Sequence, residues 1–287
     1  MPLTADRDLK RKLLYLFPSK ILKSHFDQTG NMDAIVEIIS DSPNNVILDF
    51  VFKFHGVTKQ NVHLFAINRR FDPQADMTNF PLTISKEEHN GSYHKYLLFP
   101  ELTYTVYLND PVEIESITFL QPALLEIRET NMSLRFTKLS KNIQSYFPEE
   151  RFPRLLRVTN AEESAVSEII SHFRGVMGVA VNDFNQGIKH LWQNDDLDCS
   201  KITYRDAAST HMINMNGELT FKQSFPDKYI EMRHDPIGPS IWKTLIIADN
   251  SLNAFQCDPS AGTFNINRQS ENQHQVDNAI TRILTQN

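Results

Sequence analysis

Apolar positions recur at helical spacing through residues 6–55, in four short segments. The first segment has leucines along one side, and Asp6 precedes it as a capping residue. Turn or capping residues separate the later segments, namely Pro18, Gly30-Asn31 and Ser42-Pro43. The fourth segment, SPNNVILDFVFKFHG, also fits a strand, but Pro43 at its start and Gly56 at its end favour a helix. This part of the chain predicts a small helical unit over 1–56.

The following residues are organised differently, in short apolar runs rich in β-branched and aromatic side chains. Such runs are typical of strands. They are VHLFAIN, YHKYLLF, TYTVYL, IESITFL, LLEIRE and SLRFTKL, the last two joined by a turn near Asn131. The segment 71–90, with Pro73 and Pro81, predicts a long loop. We therefore expect a β-rich region over 57–150 that packs against the helical unit.

A polar stretch with two prolines, SYFPEERFPR at 145–154, predicts a linker. Beyond it, helical segments and strand-like runs follow one another irregularly. The helical segments are NAEESAVSEIISHFRG, DFNQGIKHLWQN, PDKYIEMRH and ENQHQVDNAITRILTQN, and the strand-like runs are VMGVAV, KITYR, THMINM, ELTFKQ, WKTLIIA, NAFQC and TFNIN. DPSAG at 258–262 predicts a hairpin turn. The irregular order favours an α+β fold, with a second α+β domain at 155–287, over a doubly wound parallel sheet.

The composition indicates a large interior and a reducing compartment. Of the 287 residues, 40% are hydrophobic and 19 are phenylalanine, so the chain can bury a core without disulfides. It has only two cysteines, neither with a partner at metal-ligand spacing, which favours the cytosol. The N-terminal segment lacks the apolar stretch of a secretory signal, and the longest apolar runs are shorter than the roughly 18–20 residues of a membrane helix. We expect a cytoplasmic protein that does not enter a membrane.

The net charge of −6 and the pI near 5.9 weigh against a protein that coats nucleic acid, because such proteins are usually basic. The sequence contains neither G-x-G-x-x-G nor the phosphate loop G-x-x-x-x-G-K-[ST]. Its ten histidines show no H-x-x-x-H or H-E-x-x-H spacing. The sequence therefore predicts no metal and no cofactor.

Residues 18–40 contain two short helical segments joined by a turn at 28–31. Their apolar positions are Ile21, Leu22 and Phe26 in the first segment and Ile35, Val36 and Ile39 in the second, with Gly30 at the turn. This arrangement resembles the SAP-like helix-extended-helix module, a DNA-binding motif. The resemblance covers this stretch alone. Met32 stands where the family tends to have a lysine, and Asp33 and Glu37 make the second segment acidic.

The resemblance implies contact with nucleic acid through a basic face. Phosphate binding needs cations on one face, because the release of counterions drives it. The candidate cations for this face are Arg7, Lys10, Arg11, Lys12, Lys20 and Lys23. Two alternatives stay open, namely the docking of a protein partner and an ordinary helical bundle with solvated lysines.

Two C-terminal segments carry further candidate chemistry. QNDDLDCS lacks the glycine and the terminal glutamate of a calcium loop, so its three aspartates favour a solvated turn over a metal site. The sequence around Cys199 matches no thiol-enzyme signature, and Cys257 in an apolar run fits a small core residue. In MRHDPIGPS, Arg233 and His234, together with the nearby Lys243, would be the ligand contacts if a phosphate or nucleotide bound there. A rigid turn after a helix is the other interpretation.

These observations favour a cytosolic binding or adaptor protein that acts within a larger assembly over an enzyme. It would contact a protein partner, or nucleic acid, through its N-terminal helices. The first alternative is an enzyme that acts on a phosphorylated or nucleotide substrate through the C-terminal domain. The second is an oligomeric structural protein. The sequence leaves the partner and the oligomeric state undetermined.

Overall fold

The computed structural model describes residues 6–109, 112–139, 162–206, 208–215, 218–245 and 252–287. In chain order the helices are α1 (Arg7–Leu14), α2 (Ser19–Phe26), α3 (Met32–Ser40), α4 (Asn44–Phe54), α5 (Pro73–Asp76), α6 (Glu163–Met177), α7 (Asn185–Gln193), α8 (Phe221–Ser224), α9 (Pro226–Glu231) and α10 (Gln275–Thr285). The strands are β1 (Gln60–Ala66), β2 (Ile84–Asn90), β3 (Tyr93–Leu98), β4 (Glu101–Asn109), β5 (Val112–Leu120), β6 (Ala123–Ile127), β7 (Asn131–Thr137), β8 (Ala180–Val181), β9 (Leu197–Arg205), β10 (Thr210–Asn214), β11 (Ser240–Leu245), β12 (Leu252–Asp258) and β13 (Thr263–Ile266). The mixture of helices and antiparallel strands confirms the predicted α+β fold. The predicted linker at 145–154 lies outside the described residues.

The described residues fall into two compact units, each built from two stretches of the chain. Unit 1 draws on Met1–Thr58 and Ile67–Val179, and unit 2 on Lys59–Ala66 and Ala180–Asn287. β1 belongs to unit 2 because it pairs antiparallel with β13, from Gln60 opposite Ile266 to His63 opposite Thr263. The units are therefore interleaved in sequence, whereas the sequence predicted the contiguous segments 1–56, 57–150 and 155–287.

The four predicted N-terminal helices are confirmed, and side-chain caps begin two of them. The Asp6 carboxylate accepts hydrogen bonds from the amides of Asp8 and Leu9 at the start of α1. Asn31 accepts from the amide of Ala34 at 2.9 Å at the start of α3. Each cap satisfies amides that a helix leaves without an internal partner, which stabilises the helix by about 1 kcal/mol.

These helices bury a shared aromatic and aliphatic core. Phe17 and Phe50 meet edge to face with ring centroids 4.8 Å apart. The residues at or below 1% exposure are Leu13, Leu14, Phe17, Leu22, Ile35, Val36, Ile47, Phe50 and Val51. Complete burial of each such side chain contributes about 1.5–3 kcal/mol, so packing rather than helix propensity holds these short helices in place.

The sheet of unit 1 is antiparallel, with strand order β7-β6-β3-β2, and β4 and β5 form a separate two-stranded ribbon. The hairpin of β6 and β7 confirms the turn predicted near Asn131. The long loop predicted over 71–90 is wrong. Asp72 caps α5 with Pro73 in the first turn, and the residues from Ile84 onward pair with β3.

The end of α6 differs from the prediction. Gly175 lies inside the helix, and Gly178, with φ +64°, is the left-handed residue that ends it. The buried strand predicted for VMGVAV is consequently wrong, because Val176 and Met177 complete α6. Of the six residues in that run, Ala180 and Val181 form the short strand β8, and Val181 is 51% exposed.

In unit 2 the strand order is β10-β9-β11-β12-β13-β1, all antiparallel, with β8 paired to β1. The hairpin predicted at 258–262 is confirmed, and Gly262 has the positive φ that its turn requires. The core includes Phe184, Trp192, Phe221, Trp242, Phe255 and Phe264. The strand predicted for ELTFKQ is wrong, because Thr220 and Gln223 form a capping box that begins α8.

Candidate functional site

The predicted basic face of the helical unit is largely neutralised by acidic groups of the same unit. Arg7 lies 2.8 Å from a carboxylate oxygen of Glu37 and 2.9 Å from one of Asp41. Arg11 lies 3.3 Å from the other oxygen of Glu37. Each guanidinium therefore has an internal counterion at the position where a phosphate would bind.

The two lysines of α1 are also engaged. The Lys12 ammonium lies 2.6 Å from the carboxylate of Asp8, one helical turn earlier. Lys10 is 92% buried, and its ammonium donates to the carbonyl of Ser42 at 2.8 Å. Lys10 is consequently a structural residue that ties α1 to the start of α4.

Lys20 and Lys23 differ from these four cations. Both lie on α2, Lys20 exposed and Lys23 partly exposed. Within the described part of the chain, neither ammonium has a carboxylate within ion-pair distance. The nucleic-acid interface thus stays a prediction. Of its six candidate cations, Lys20 and Lys23 are the two without an internal partner among the described residues.

The predicted C-terminal ligand contacts lie on two different parts of unit 2 and stay a prediction. Lys243 lies on β11, and its ammonium donates to Asp198 at 2.9 Å, an aspartate that also accepts from the amide of Phe221. Arg233 and His234 lie in the exposed turn after α9.

The aspartate cluster is divided among three cations. Asp195 pairs with Lys222, Asp196 with Arg282 and Asp198 with Lys243. Across the described ranges, no group of three or more His, Cys, Asp and Glu side chains has the arrangement of a metal site. The same ranges contain no helix that is both long and apolar enough to span a bilayer.

Both cysteines are buried core residues. Burial raises the pKa of the Cys199 thiol to about 12, with Asp198 adding to the effect. Burial likewise raises the pKa of Cys257, whose sulfur accepts a hydrogen bond from the indole of Trp242 at 3.0 Å. Because the nucleophile would be the thiolate, neither residue is suited to thiol catalysis near neutral pH.

A turn in unit 2 gathers the residue types of a hydrolase triad without its geometry. Asp206 and Ser209 both contact the same nitrogen of His211, Nε2, at 2.6 and 3.0 Å. In a triad the acid and the nucleophile contact opposite nitrogens, so that one orients the ring while the other delivers its proton. Asp206 also accepts from the amides of Ala208 and Ser209, which identifies a capped hairpin turn.

Unit 1 contains a groove between α1 and the ends of the β4–β5 ribbon, which we call the α1 groove. Its volume is about 460 Å³, within the size range of ligand sites. Leu9, Leu13 and Leu16 line one side at helical spacing, and Phe119 and Leu120 line the other. Leu13, Leu16 and Phe119 are buried and form the floor of the groove, whereas Leu9 and Leu120 are partly exposed at its sides.

A buried amide lies at this groove. Gln121 lines it with 1% exposure, and its carbonyl oxygen accepts from the hydroxyl of Tyr104 at 2.6 Å. The amide nitrogen of the same side chain has no hydrogen-bond partner in the described structure. A buried donor left without an acceptor costs about 1–3 kcal/mol, and this nitrogen exposes less than 1 Å² to solvent, so an acceptor that reached it would relieve that cost.

The charges along the groove are predominantly acidic. Asp6, Asp8 and Glu101 contribute three carboxylates and Lys12 one ammonium, a formal balance of −2. The Asp8–Lys12 pair is satisfied internally. Glu101 is exposed and has no ion-pair partner among the described residues, so it is free to pair with a cation from outside.

Sequence reasoning missed this groove. It used the leucines of α1 to predict the helix and the cations of α1 to predict a binding face. The groove instead combines those leucines with Glu101 and Gln121, which are distant in sequence. The leucine spacing at 9, 13 and 16 was the only signal available. No family model matches this chain, and neither a curated protein nor a solved structure matches it.

Proposed function

We propose that this protein is a cytoplasmic binding protein that acts within a larger assembly and docks a basic, apolar segment of a partner protein in the α1 groove. The observation that carries the proposal is the combination at one site of an apolar stripe, an acidic rim and the unpaired amide of Gln121. The apolar lining supplies the free energy of association, and the polar groups fix the orientation of the bound segment.

The three parts of the groove define the chemistry of the partner segment. The stripe of Leu9, Leu13 and Leu16 fits apolar side chains. Glu101 fits a lysine or arginine, because an excess of carboxylates attracts cations and repels phosphates. Gln121 fits a backbone carbonyl, which an extended segment presents at every residue. Free buried cysteines accord with the reducing compartment that the proposal assumes.

The test is a panel of three labelled peptides that share the same apolar residues and carry lysine, serine or glutamate at the remaining positions. Fluorescence anisotropy would measure binding at two salt concentrations. We expect the lysine peptide to bind most tightly and the glutamate peptide least tightly. Equal affinity for all three, or no binding of the lysine peptide, would contradict the proposal.

Charge reversal at the rim locates the binding. Glu101→Lys should weaken the lysine peptide about five- to tenfold, since an exposed pair contributes up to about 1 kcal/mol and its reversal adds repulsion. Glu129→Lys, in the exposed turn between β6 and β7, makes the same change of net charge away from the groove and should leave the affinity unchanged. Equal weakening by both variants would indicate a non-specific charge effect.

The amide is tested by a double variant, Tyr104→Phe with Gln121→Met, which removes the donor without leaving an unpaired hydroxyl. We expect binding to weaken about three- to tenfold, the equivalent of one net hydrogen bond. The same anisotropy assay with single-stranded DNA, double-stranded DNA and RNA tests the nucleic-acid alternative. Salt-sensitive binding that Lys20→Glu and Lys23→Glu abolish, with no binding of the lysine peptide, would favour that alternative.

A further inference from the structure

Two histidines face each other across the hairpin of β2 and β3. His89 and His94 are direct partners in the strand register, with ring centroids 4.8 Å apart. Their Nδ1 atoms are 2.8 Å apart. The two rings therefore bring their Nδ1 atoms within hydrogen-bonding distance of each other.

The surrounding residues hold both rings in place. The side-chain oxygen of Asn90 accepts from the amides of Ser92 and Tyr93, which fixes the two-residue turn beside the pair. The ring of Phe71 packs edge-on against His94 at 5.0 Å, and that of Tyr96 packs against His89 at 5.7 Å. His89 keeps 41% of its side-chain surface exposed, so an ion can reach the pair from solvent.

The short distance between the nitrogens has a chemical consequence. Two neutral imidazole nitrogens cannot direct lone pairs at each other, so one Nδ1 carries the proton of a hydrogen bond, or both ligate one metal ion that lies to the side of the line joining them. Two nitrogen ligands about 2.0 Å from one ion are about 2.8 Å apart when they subtend a right angle and about 3.3 Å apart in a tetrahedron. The spacing of His89 and His94 matches the right angle, which is the geometry of Cu(II) and Ni(II).

We propose that His89 and His94 form a binding site for a divalent transition-metal ion of tetragonal geometry, such as Cu(II) or Ni(II). The protein supplies two adjacent ligands, and water or a donor from a partner completes the coordination. In the absence of metal, one ring donates its Nδ1 proton to the other. Metal binding moves that proton to the Nε2 atom of the same ring, so both Nδ1 lone pairs are free for the ion, both rings stay neutral and no net proton is released.

The local charges are compatible with this role. Glu87 lies 3.6 Å from the Nε2 atom of His89, where it offsets the charge of a bound cation and orients the ring.

The test uses the untagged full chain, titrated with Cu(II) and, separately, Ni(II) by isothermal titration calorimetry. Electron paramagnetic resonance of the copper sample reports the geometry and the ligands. His89→Ala and His94→Ala each remove one ligand. His190→Ala removes an exposed histidine of α7 and serves as the matched control.

We expect one tightly bound ion per chain and a tetragonal copper spectrum with two nitrogen ligands from the protein. His190→Ala should keep the same affinity and the same spectrum. Each ligand variant should weaken binding by at least about tenfold, since a lone imidazole does not chelate. If His94→Ala fails to fold, His89→Ala decides the outcome. The His89 side chain is 41% exposed, so its removal should leave the fold intact. Absence of tight binding, or tight binding retained in His89→Ala, would overturn the proposal.

Discussion

Replacing Gly187 with alanine should destabilise unit 2, although alanine favours a helix more than glycine does. Gly187 lies in α7, and a Cβ atom there would stand 2.1 Å from the carbonyl oxygen of Ile283 in α10. The backbone of a packed helix would have to move to admit the methyl group. The absence of a side chain at this position therefore allows the close approach of the two helices.

The magnitude follows from two opposing effects. Overpacking of this kind costs up to about 3 kcal/mol, and the better helix propensity of alanine returns about 1 kcal/mol. We expect a net loss of about 2 kcal/mol, which lowers the urea midpoint by about 1 M for a denaturant slope near 2 kcal/mol/M. Both tryptophans, Trp192 and Trp242, lie in the core of unit 2, so their fluorescence reports its unfolding.

Gly175→Ala is the matched control. It lies in α6, and a Cβ atom there would meet nothing within 4 Å. The same substitution should therefore raise stability by about 0.5–1 kcal/mol, measured by the loss of helical circular dichroism in urea. If Gly187→Ala were as stable as the native protein, the close packing of α7 on α10 would be refuted.

Three further predictions concern buried thiols, an alkaline transition and the amide at the groove. Cys199 and Cys257 should not react with a thiol reagent in the native protein and should both react in denaturant, because burial raises both thiol pKa values. The hydroxyl of Tyr93 donates to Glu88, which, with burial, raises the pKa of Tyr93 from 10.0 to about 12. Its contribution to stability is complete below pH 10 and is lost as the pH rises to about 12. Glu88→Ala should shift the tyrosinate absorbance of Tyr93 to lower pH, and an unchanged titration would contradict the hydrogen bond. Tyr104→Phe alone should cost about 1–2 kcal/mol in urea unfolding, because it leaves the buried amide oxygen at the groove unpaired, and full stability would count against that bond.

Local signals predicted the elements where they agreed with packing. The helix after Asn31 has a cap, an apolar stripe and a glycine before it, and α3 begins as expected. The run ELTFKQ looked like a strand because it alternates apolar and polar residues. Thr220 and Gln223 instead close a capping box, and Phe221 enters the core of unit 2. Both patterns fit the same six letters, so only the tertiary environment decides between them.

The α1 groove could not be predicted for a different reason. Its polar groups, Glu101 and Gln121, meet α1 only after β4 and β5 have paired, with Glu101 opposite Leu120. The cations that the sequence favoured are close to carboxylates that sequence spacing does not reveal, as when Arg7 meets Asp41. Charge counted along a chain therefore overstates the positive charge that the folded surface presents.

Hydrogen exchange of the full chain with and without the lysine peptide tests the central claim most directly. If the segment binds in the α1 groove, protection should increase in α1 and at the residues around Gln121, and at a peptide concentration near Kd, Glu101→Lys should reduce that increase. Protection confined to α2 or to unit 2, or no change at a saturating peptide concentration, would contradict the account.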